Sequence, residues 1–477
     1  MFKNDATVVY RRFQNQNGAE LRYCAIFIDG MVDRELVNEA IIGPVINHVW
    51  AKKSGHPLDI LQTQVIPANN VKKNADVKQL TEALNHGDTV LLLDGVAEAL
   101  VISSQGWQTR AITEPEREKA LRGSREGFTE SLPINLSLVR RKLNTQHQLK
   151  FEFKVLGSRV HTRACLCYIE GLANPAILAE LEQRLNGIDL DGVLDTGYIV
   201  EFIKDAPLSP FKTVGNTERP DVVAGKLLEG RIALLLDGSP VALTLPHIFI
   251  EHFQANDDYY LNFFFASISR GIRIAAFIFA ISVPALYLAL TTFHQEMLPT
   301  PLLLSISAAR QGVAFPTIFE LLILGLAFEI LREAGVRMPM IIGQALSIVG
   351  ALIIGQAAVE ARIVSAPMVI VAGLTAVTGL MIPSLSGAVI ILRFVLVIMA
   401  TLIGFYGYLF GMVGLLIHLF SIHSFGVPYM ASLYSLNFQD IKDTVFRAPW
   451  WYMEYRPQFI GAMNRVRQSK KRLGPNP

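Results

Sequence analysis

The stretch RYCAIFIDG at residues 22–30 returns as RACLCYIEG at residues 163–171, and GDTVLLLDG at 87–95 returns as GRIALLLDG at 230–238. The pairs are offset by 141 and 143 residues, so the first half of this 477-residue chain reads as one unit used twice. In each copy the first stretch is an apolar run of strand length, followed by a helical pattern near 33–49 and 174–186. The second stretch ends in Asp-Gly and is followed by another apolar run, 97–103 or 240–245. Asp-Gly between two such runs predicts a hairpin, because a type I′ turn needs positive φ. Each copy is expected as strand–helix, a middle region, then helix–strand–turn–strand.

Outward from these repeats, the segment 112–147 is charged and partly helical and bridges the two units. The expected division is a module at 1–111, a helical linker at 112–147 and a second module at 148–265. A transmembrane domain at 266–438 and a basic tail at 439–477 follow. The fold class is thus an α/β soluble half made of two duplicated small α/β modules, followed by an all-α polytopic membrane domain. The N-terminus has no apolar h-region, so the soluble half is expected on the cytoplasmic side.

Neither module carries a Walker A loop, a GxGxxG after a strand, an HExxH or a GxSxG elbow, so no enzyme activity is expected. Asp29, Asp94, Glu170 and Asp237 stand beside glycine and read as turn residues. Cys24, Cys165 and Cys167 fall in apolar runs and read as reduced core residues. His247 and His252 are five apart and share no helix face, which argues against a metal pair. Arg122, Arg125, Arg140, Arg141 and Lys142 read as a solvated face or protein contact rather than an anion site. No cofactor, metal or nucleic-acid partner is expected.

Charge separates the halves. Lys, Arg, Asp and Glu number 62 in residues 1–270 and only 11 in the next 165. A charge at mid-bilayer costs about 3 kcal/mol or more, so each of the eleven is expected to face protein or water. Spans of about 20 apolar residues are sought. The first runs over 270–292 with Pro284 inside, and Arg270 and Arg273 at its start put the N-terminal half in the cytoplasm. Residues 302–315 are too short to span and read as re-entrant or interfacial. A helix at 317–332 follows, then the cleanest span at 339–359 and another at 367–382. Residues 388–420 suit one very tilted helix or two short ones broken near Gly404–Gly407. The tail from 440 carries eight Lys/Arg against three acids, so both termini are expected on the cytoplasmic side with four or six crossings. Gly343, Gly350, Gly404, Gly407, Gly411 and Gly414 read as packing faces.

The polar candidates are Gln344, Ser347 and Gln356 on the clean span, Glu360 and Arg362 at its end, and Ser365, Thr375 and Thr378 beyond. Around the axis of several copies they would line a wet path, with Val359 and Ile363 as an apolar constriction. The other reading is a dry bundle in which they hydrogen-bond between helices.

Long blocks of the chain resemble the GerA family of spore germination receptor A subunits. They are ITEPEREKALRGSREGFTESLPINLSLVRRKL, NTERPDVVAGKLLEGRIALLLDGSP, the run from AARQGVAFPTIFELL to ARIVSAPMVIV, SFGVPYMASL and KDTVFRAPWWYMEYRP. Close paralogues of the spore-stage-five type share much of this pattern. The chain departs from it at Ser432, where the family pattern has proline. The resemblance implies the inner membrane of a bacterial spore, a permease-like B subunit that senses nutrient and a lipoprotein C subunit as partners. It also implies a homo-oligomeric ring, a pentamer, whose membrane domains form a germinant-gated cation channel in contact with lipid. By that likeness residues 354–365 lie near the gate. The alternative function is a membrane-anchored scaffold that clusters receptor subunits without conducting ions.

Overall fold

The computed structural model describes residues 5–15, 21–50, 56–68, 70–106, 115, 118, 122–144, 148–338, 350, 353–434, 442–457, 459, 460, 464, 466 and 467. Its N-terminal part holds two five-stranded antiparallel sheets. The first comprises β1 (Val8–Gln14), β2 (Arg22–Ile28), β3 (Val71–Asn74), β4 (Thr89–Leu93) and β5 (Ala99–Ile102) in the order β1-β2-β4-β5-β3. The second comprises β6 (Leu149–Leu156), β7 (Thr162–Ile169), β8 (Gly215–Thr217), β9 (Ile232–Leu236) and β10 (Ala242–Leu245) in the order β6-β7-β9-β10-β8. The quoted repeats supply the inner strands β2, β4, β7 and β9. Each sheet also has a leading edge strand that the repeats did not announce. β1, VVYRRFQ, exposes Tyr10, Arg11 and Arg12, as an edge does, and so lacks a clean apolar alternation.

Hairpins form where Asp-Gly predicted them, between β4 and β5 and between β9 and β10. Their turns are not type I′. Only the glycines have positive φ, 80° at Gly95 and 86° at Gly238, and the loop between the paired Leu92 and Ala99 is six residues long. A wider loop needs one left-handed residue rather than two.

Helix Leu132–Leu143 of the expected linker buries Leu132, Leu136 and Val139 against Phe151, Cys165, Cys167, Val223 and Leu227 of the second sheet's unit. Cys165 and Cys167 are fully buried there, whereas Cys24 is half-buried. The opposite face of that sheet packs Leu166 and Leu234 on Ile177, Leu181, Ile199 and Ile203. Arg140 reaches out of the helix to Asp5 and Thr7, both at 2.7 Å, and ties the first unit to the second.

The C-terminal part is helical. A 30-residue helix, Phe263–Thr292, leads out of the second unit, capped by Asn262. Pro284 lies inside it, as expected, and the helix begins about two turns earlier than the apolar count suggested, on Phe263–Phe265. Short helix Thr300–Arg310 and helix Thr317–Arg337 follow. The expected span at 339–359 lies outside the described residues except for residue 350 and a helix at 353–360. Helix Ala366–Leu380 comes next. The long apolar stretch resolves into two helices, Ser386–Ile403 and Phe405–Ser421.

The break is Gly404, at φ 67° and ψ −140°, a conformation that only glycine adopts readily. Beyond it the two helices fold back so closely that a Cβ on Gly407 would stand 1.9 Å from the Met399 carbonyl oxygen. Gly404 itself abuts Phe293 and His294 at the far end of the lead helix, while Ser384 at the near end bonds the His252 carbonyl. Ser386–Ile403 therefore runs outward beside the lead helix, and Phe405–Ser421 returns. Among the described residues, Phe263–Thr292 and Pro383–Ile403 are long and apolar enough to cross a membrane. Ala366–Leu380 and Phe405–Ser421 are shorter apolar helices.

Candidate functional site

Three polar assemblies join the helices to each other and to the second α/β unit. The first is a clamp at the root of the lead helix. Arg270 is wholly buried; its Nε donates to Asp258 at 2.9 Å and its Nη1 to Asp443 at 2.7 Å. Arg273 donates to the other Asp258 oxygen at 2.8 Å, and Tyr259 donates its hydroxyl to Asp443 at 2.7 Å. Burial works to raise the Asp258 pKa, but Arg273 and Arg270 outweigh it and hold the carboxyl below its ordinary range.

The second assembly receives the returning chain. After Ser421 a hairpin, His423–Ser424 paired with Val427–Pro428, inserts Phe425 into the second unit. Phe425 adopts φ 49°, donates its N–H to Asp205 at 2.9 Å and lies 4.5 Å beneath the Arg184 guanidinium. Ser424 donates to the Thr213 carbonyl and accepts from the His247 N–H. Tyr429 and His252 Nε2 are 2.9 Å apart. The His247 and His252 rings touch, 4.7 Å between centroids, which corrects the expectation from spacing alone. The turn Phe249–Phe253 is a 3-10 helix preceded by extended Ile248, so α-helical spacing does not apply. Burial pushes the pKa of both histidines down, with Glu251 opposing it in each. Glu251 is held well below the carboxylate range, against its own burial, by Arg231, Lys226 and His247. Among the described residues no group of three or more His, Cys, Asp or Glu is placed to hold a metal.

The third assembly lies among the helices. Glu320, wholly buried, accepts from both the N–H and the hydroxyl of Ser365 at 2.7 Å, with Arg310 3.7 Å from its other oxygen. Glu329 is bound by Arg393 and by Arg332, the latter at 2.8 Å. These three groups form the polar wall of a cavity of about 790 Å³ lined otherwise by residues such as Leu321, Met368, Thr375 and Val397. So Arg310, Glu320, Glu329 and Arg393 serve as ion-paired packing groups, as their apolar surroundings require.

The sequence-derived candidates divide between these surroundings and the surface. Gln344 and Ser347 lie outside the described residues. Gln356, Glu360, Arg362 and Ile363 are exposed at the end of the 353–360 helix and the turn after it, with Arg362 at φ 52°. Val359 is half-buried against the helical core. Ser365 is held by Glu320, while Thr375 and Thr378 donate to carbonyls of their own helix. Sequence reasoning missed Asp258, Asp443, Asp205 and Glu251, which carry the joint between the halves. Their signal was weak: Asp205, Glu251 and Asp258 are ordinary acids of the charge-rich half and Asp443 lies in the tail, and each meets an arginine 12 or more residues away.

A sequence profile of the Bacillus/Clostridium GerA spore germination proteins matches residues 1–459. The chain is 41% identical to spore germination protein KA of Bacillus subtilis (strain 168), over 98% of its own length and 86% of that protein's. It is 40% identical to the uncharacterized membrane protein YfkQ of the same organism, covering 97% and 90%. To spore germination protein GerLA of Bacillus cereus it is 35% identical, covering 95% and 92%. Among solved structures, the N-terminal domain of the A subunit of the Bacillus megaterium spore germinant receptor GerK3 matches 52% of this chain and 91% of that one. The identity there is 32% and the TM-score 0.40.

Proposed function

This chain belongs to the GerA family of spore germination proteins, and from that premise we propose that it opens a cation path through the spore inner membrane as the A subunit of a nutrient receptor. The observation that carries the path is the exposed row Gln356, Glu360, Arg362 and Ile363. Charges facing hydrocarbon cost about 3 kcal/mol each, so the row faces water or a second copy of the chain. A ring of copies, five by the family likeness, would bring these rows to a common axis. Glu360 then attracts cations, and Val359 with Ile363 closes the path by dewetting. Gln344 and Ser347 would continue the lining upstream, whereas Ser365, Thr375 and Thr378 are buried and hydrogen-bonded inside the chain and back the row rather than line it.

The directions of the described helices support an even number of traversals with both termini on the cytoplasmic side: outward at 263–292, 353–360 and 386–403, and back at 317–337, 366–380 and 405–421. The matching strand orders of the two sheets support a duplicated module. The permease-like B subunit and lipoprotein C subunit complete the receptor, in contact with membrane lipid.

The test is cation flux into liposomes holding the purified chain, alone and with its partner subunits. Val359→Ala and Ile363→Ala are expected to raise basal leak, and Glu360→Gln to lower cation over anion selectivity. Absence of flux in every variant and gating condition selects the scaffold reading instead.

A further inference from the structure

The tail beyond the last helix was expected to be a basic cytoplasmic extension. Its structure is more specific. Residues 442–453 are laid against the root of the lead helix and fastened from beneath. Asp443 binds the buried Arg270, the Arg447 N–H donates to Ser267 at 3.0 Å, and the Trp450 indole donates to the Tyr259 carbonyl at 3.2 Å. Arg447 is itself buried and reaches the carbonyls of Tyr259 and Leu261. With the backbone held in this way, the apolar rings point outward. Phe446 is 70% exposed, and Trp451 and Tyr452 are each 57% exposed. The Trp451 ring stands 6.1 Å from Phe263 in the first helical turn.

The lead helix continues the same surface. Phe264, Ile268 and Ile272 follow one another at four-residue spacing and are all exposed. This stripe runs without interruption from the tail aromatics into the apolar body of the helix. We propose that the segment 446–452, together with Phe264, lies in the headgroup–acyl boundary of the cytoplasmic leaflet as a fixed membrane-interface anchor. This rests on the reading of Phe263–Thr292 as a span.

Three features favour lipid as the occupant. Rings with one polar edge, such as Trp and Tyr, partition to that boundary, where the apolar body is buried and the N–H or O–H stays wet. The surface is continuous with the stripe that would face hydrocarbon. Lys442 stands 5.2 Å over the Tyr452 ring, which suits anionic headgroups beside it. In addition, successive residues of the 3-10 turn Trp450–Tyr452 splay around its axis. A fluid interface wets every ring at its depth, whereas a rigid protein face meets one side of the turn.

The experiment uses the full chain in vesicles of phosphatidylglycerol and phosphatidylethanolamine, with Trp50, Trp107 and Trp450 replaced by Phe so that Trp451 reports alone. Doxyl groups near the headgroup are expected to quench Trp451 more than doxyl groups deep in the acyl chain. In the otherwise native chain, Trp451→Phe is expected to lower the lipid-quenchable fraction of the emission, which covers a triple variant that does not fold. Quenching of Trp451 by aqueous iodide but not by lipid would place the segment in water and overturn the proposal. Shielding from both quenchers would also overturn it, in favour of a second copy or partner subunit. A control, Ile398→Trp with all four native tryptophans replaced by Phe, separates the two levels. If lipid quenches that reporter and not Trp451, only the anchor fails. If lipid quenches neither, the membrane reading fails with it.

Discussion

Arg270 shows how much one side chain carries in this molecule. It is wholly buried between Asp258 and Asp443. Arg270→Ala is expected to destabilise the protein by about 3 kcal/mol, because Asp443 loses its cation and the buried Asp258 keeps only Arg273. Arg270→Lys should recover little, since an ammonium cannot match the planar fork that serves both acids at once. Thermal melting in detergent checks both; an Arg270→Ala protein that melts like wild type would show the clamp to be unimportant. A glycine pair offers a sharper contrast. At Gly407 an added methyl meets the Met399 carbonyl at 1.9 Å, whereas at Gly414 nothing lies within 4 Å. Gly407→Ala is expected to cost about 1–3 kcal/mol or more through overpacking, and Gly414→Ala close to nothing. Equal melting temperatures for the two variants would contradict the close return of the last helix.

Among the elements, the joint around the turn Phe249–Phe253 should respond to acid. His247 and His252 are buried and neutral, facing Glu251, Lys226, Arg231 and Lys212, and their folded pKa values lie below the unfolded one. The unfolded chain therefore binds protons first, so stability is complete above about pH 6.5 and falls as pH drops below it toward the folded values. Melting temperature is expected to decline across that window, and His252→Gln, which keeps a bond to Tyr429, to flatten the decline. A profile that is flat in wild type would refute it. How much of these elements was legible follows from what each depends on. The inner strands were readable from RYCAIFIDG and GRIALLLDG because buried strands announce themselves as apolar runs. The edge strand β1 was not, because its exposed Arg11 and Arg12 break the pattern. The break at Gly404 was narrowed to a few residues by glycine content, but choosing two helices over one tilted helix required knowing that Gly407 meets Met399. The contact of His247 with His252 was hidden by assuming α-helical spacing where the chain makes a 3-10 turn. Of the candidate site, the exposure of Glu360 and Arg362 fits a polar row, while the bond from Ser365 to Glu320 crosses 45 residues and had no local signature.

At the scale of the whole molecule, the second α/β unit and the helices share more than a linker. One apolar core includes Phe211 and Phe253 from that unit together with Ala280, Leu288 and Val397 from the helices. Changing the joint should therefore alter what the helices do. Phe425→Ala removes the ring buried beneath Arg184 and is expected to cost about 3–5 kcal/mol of stability. If the proposed cation path is right, its more telling effect is on flux, which should lose any dependence on partner subunits before the protein unfolds. Regulated flux that survives at the wild-type level in a folded Phe425→Ala protein would contradict this. The geometry behind that expectation is simple. The second α/β unit grips the helices at the root of the first helix, at the hairpin after the last, and through Ser384 between them. A body held at several separate points has no free hinge. A displacement of that unit would therefore reach the first and last helices together.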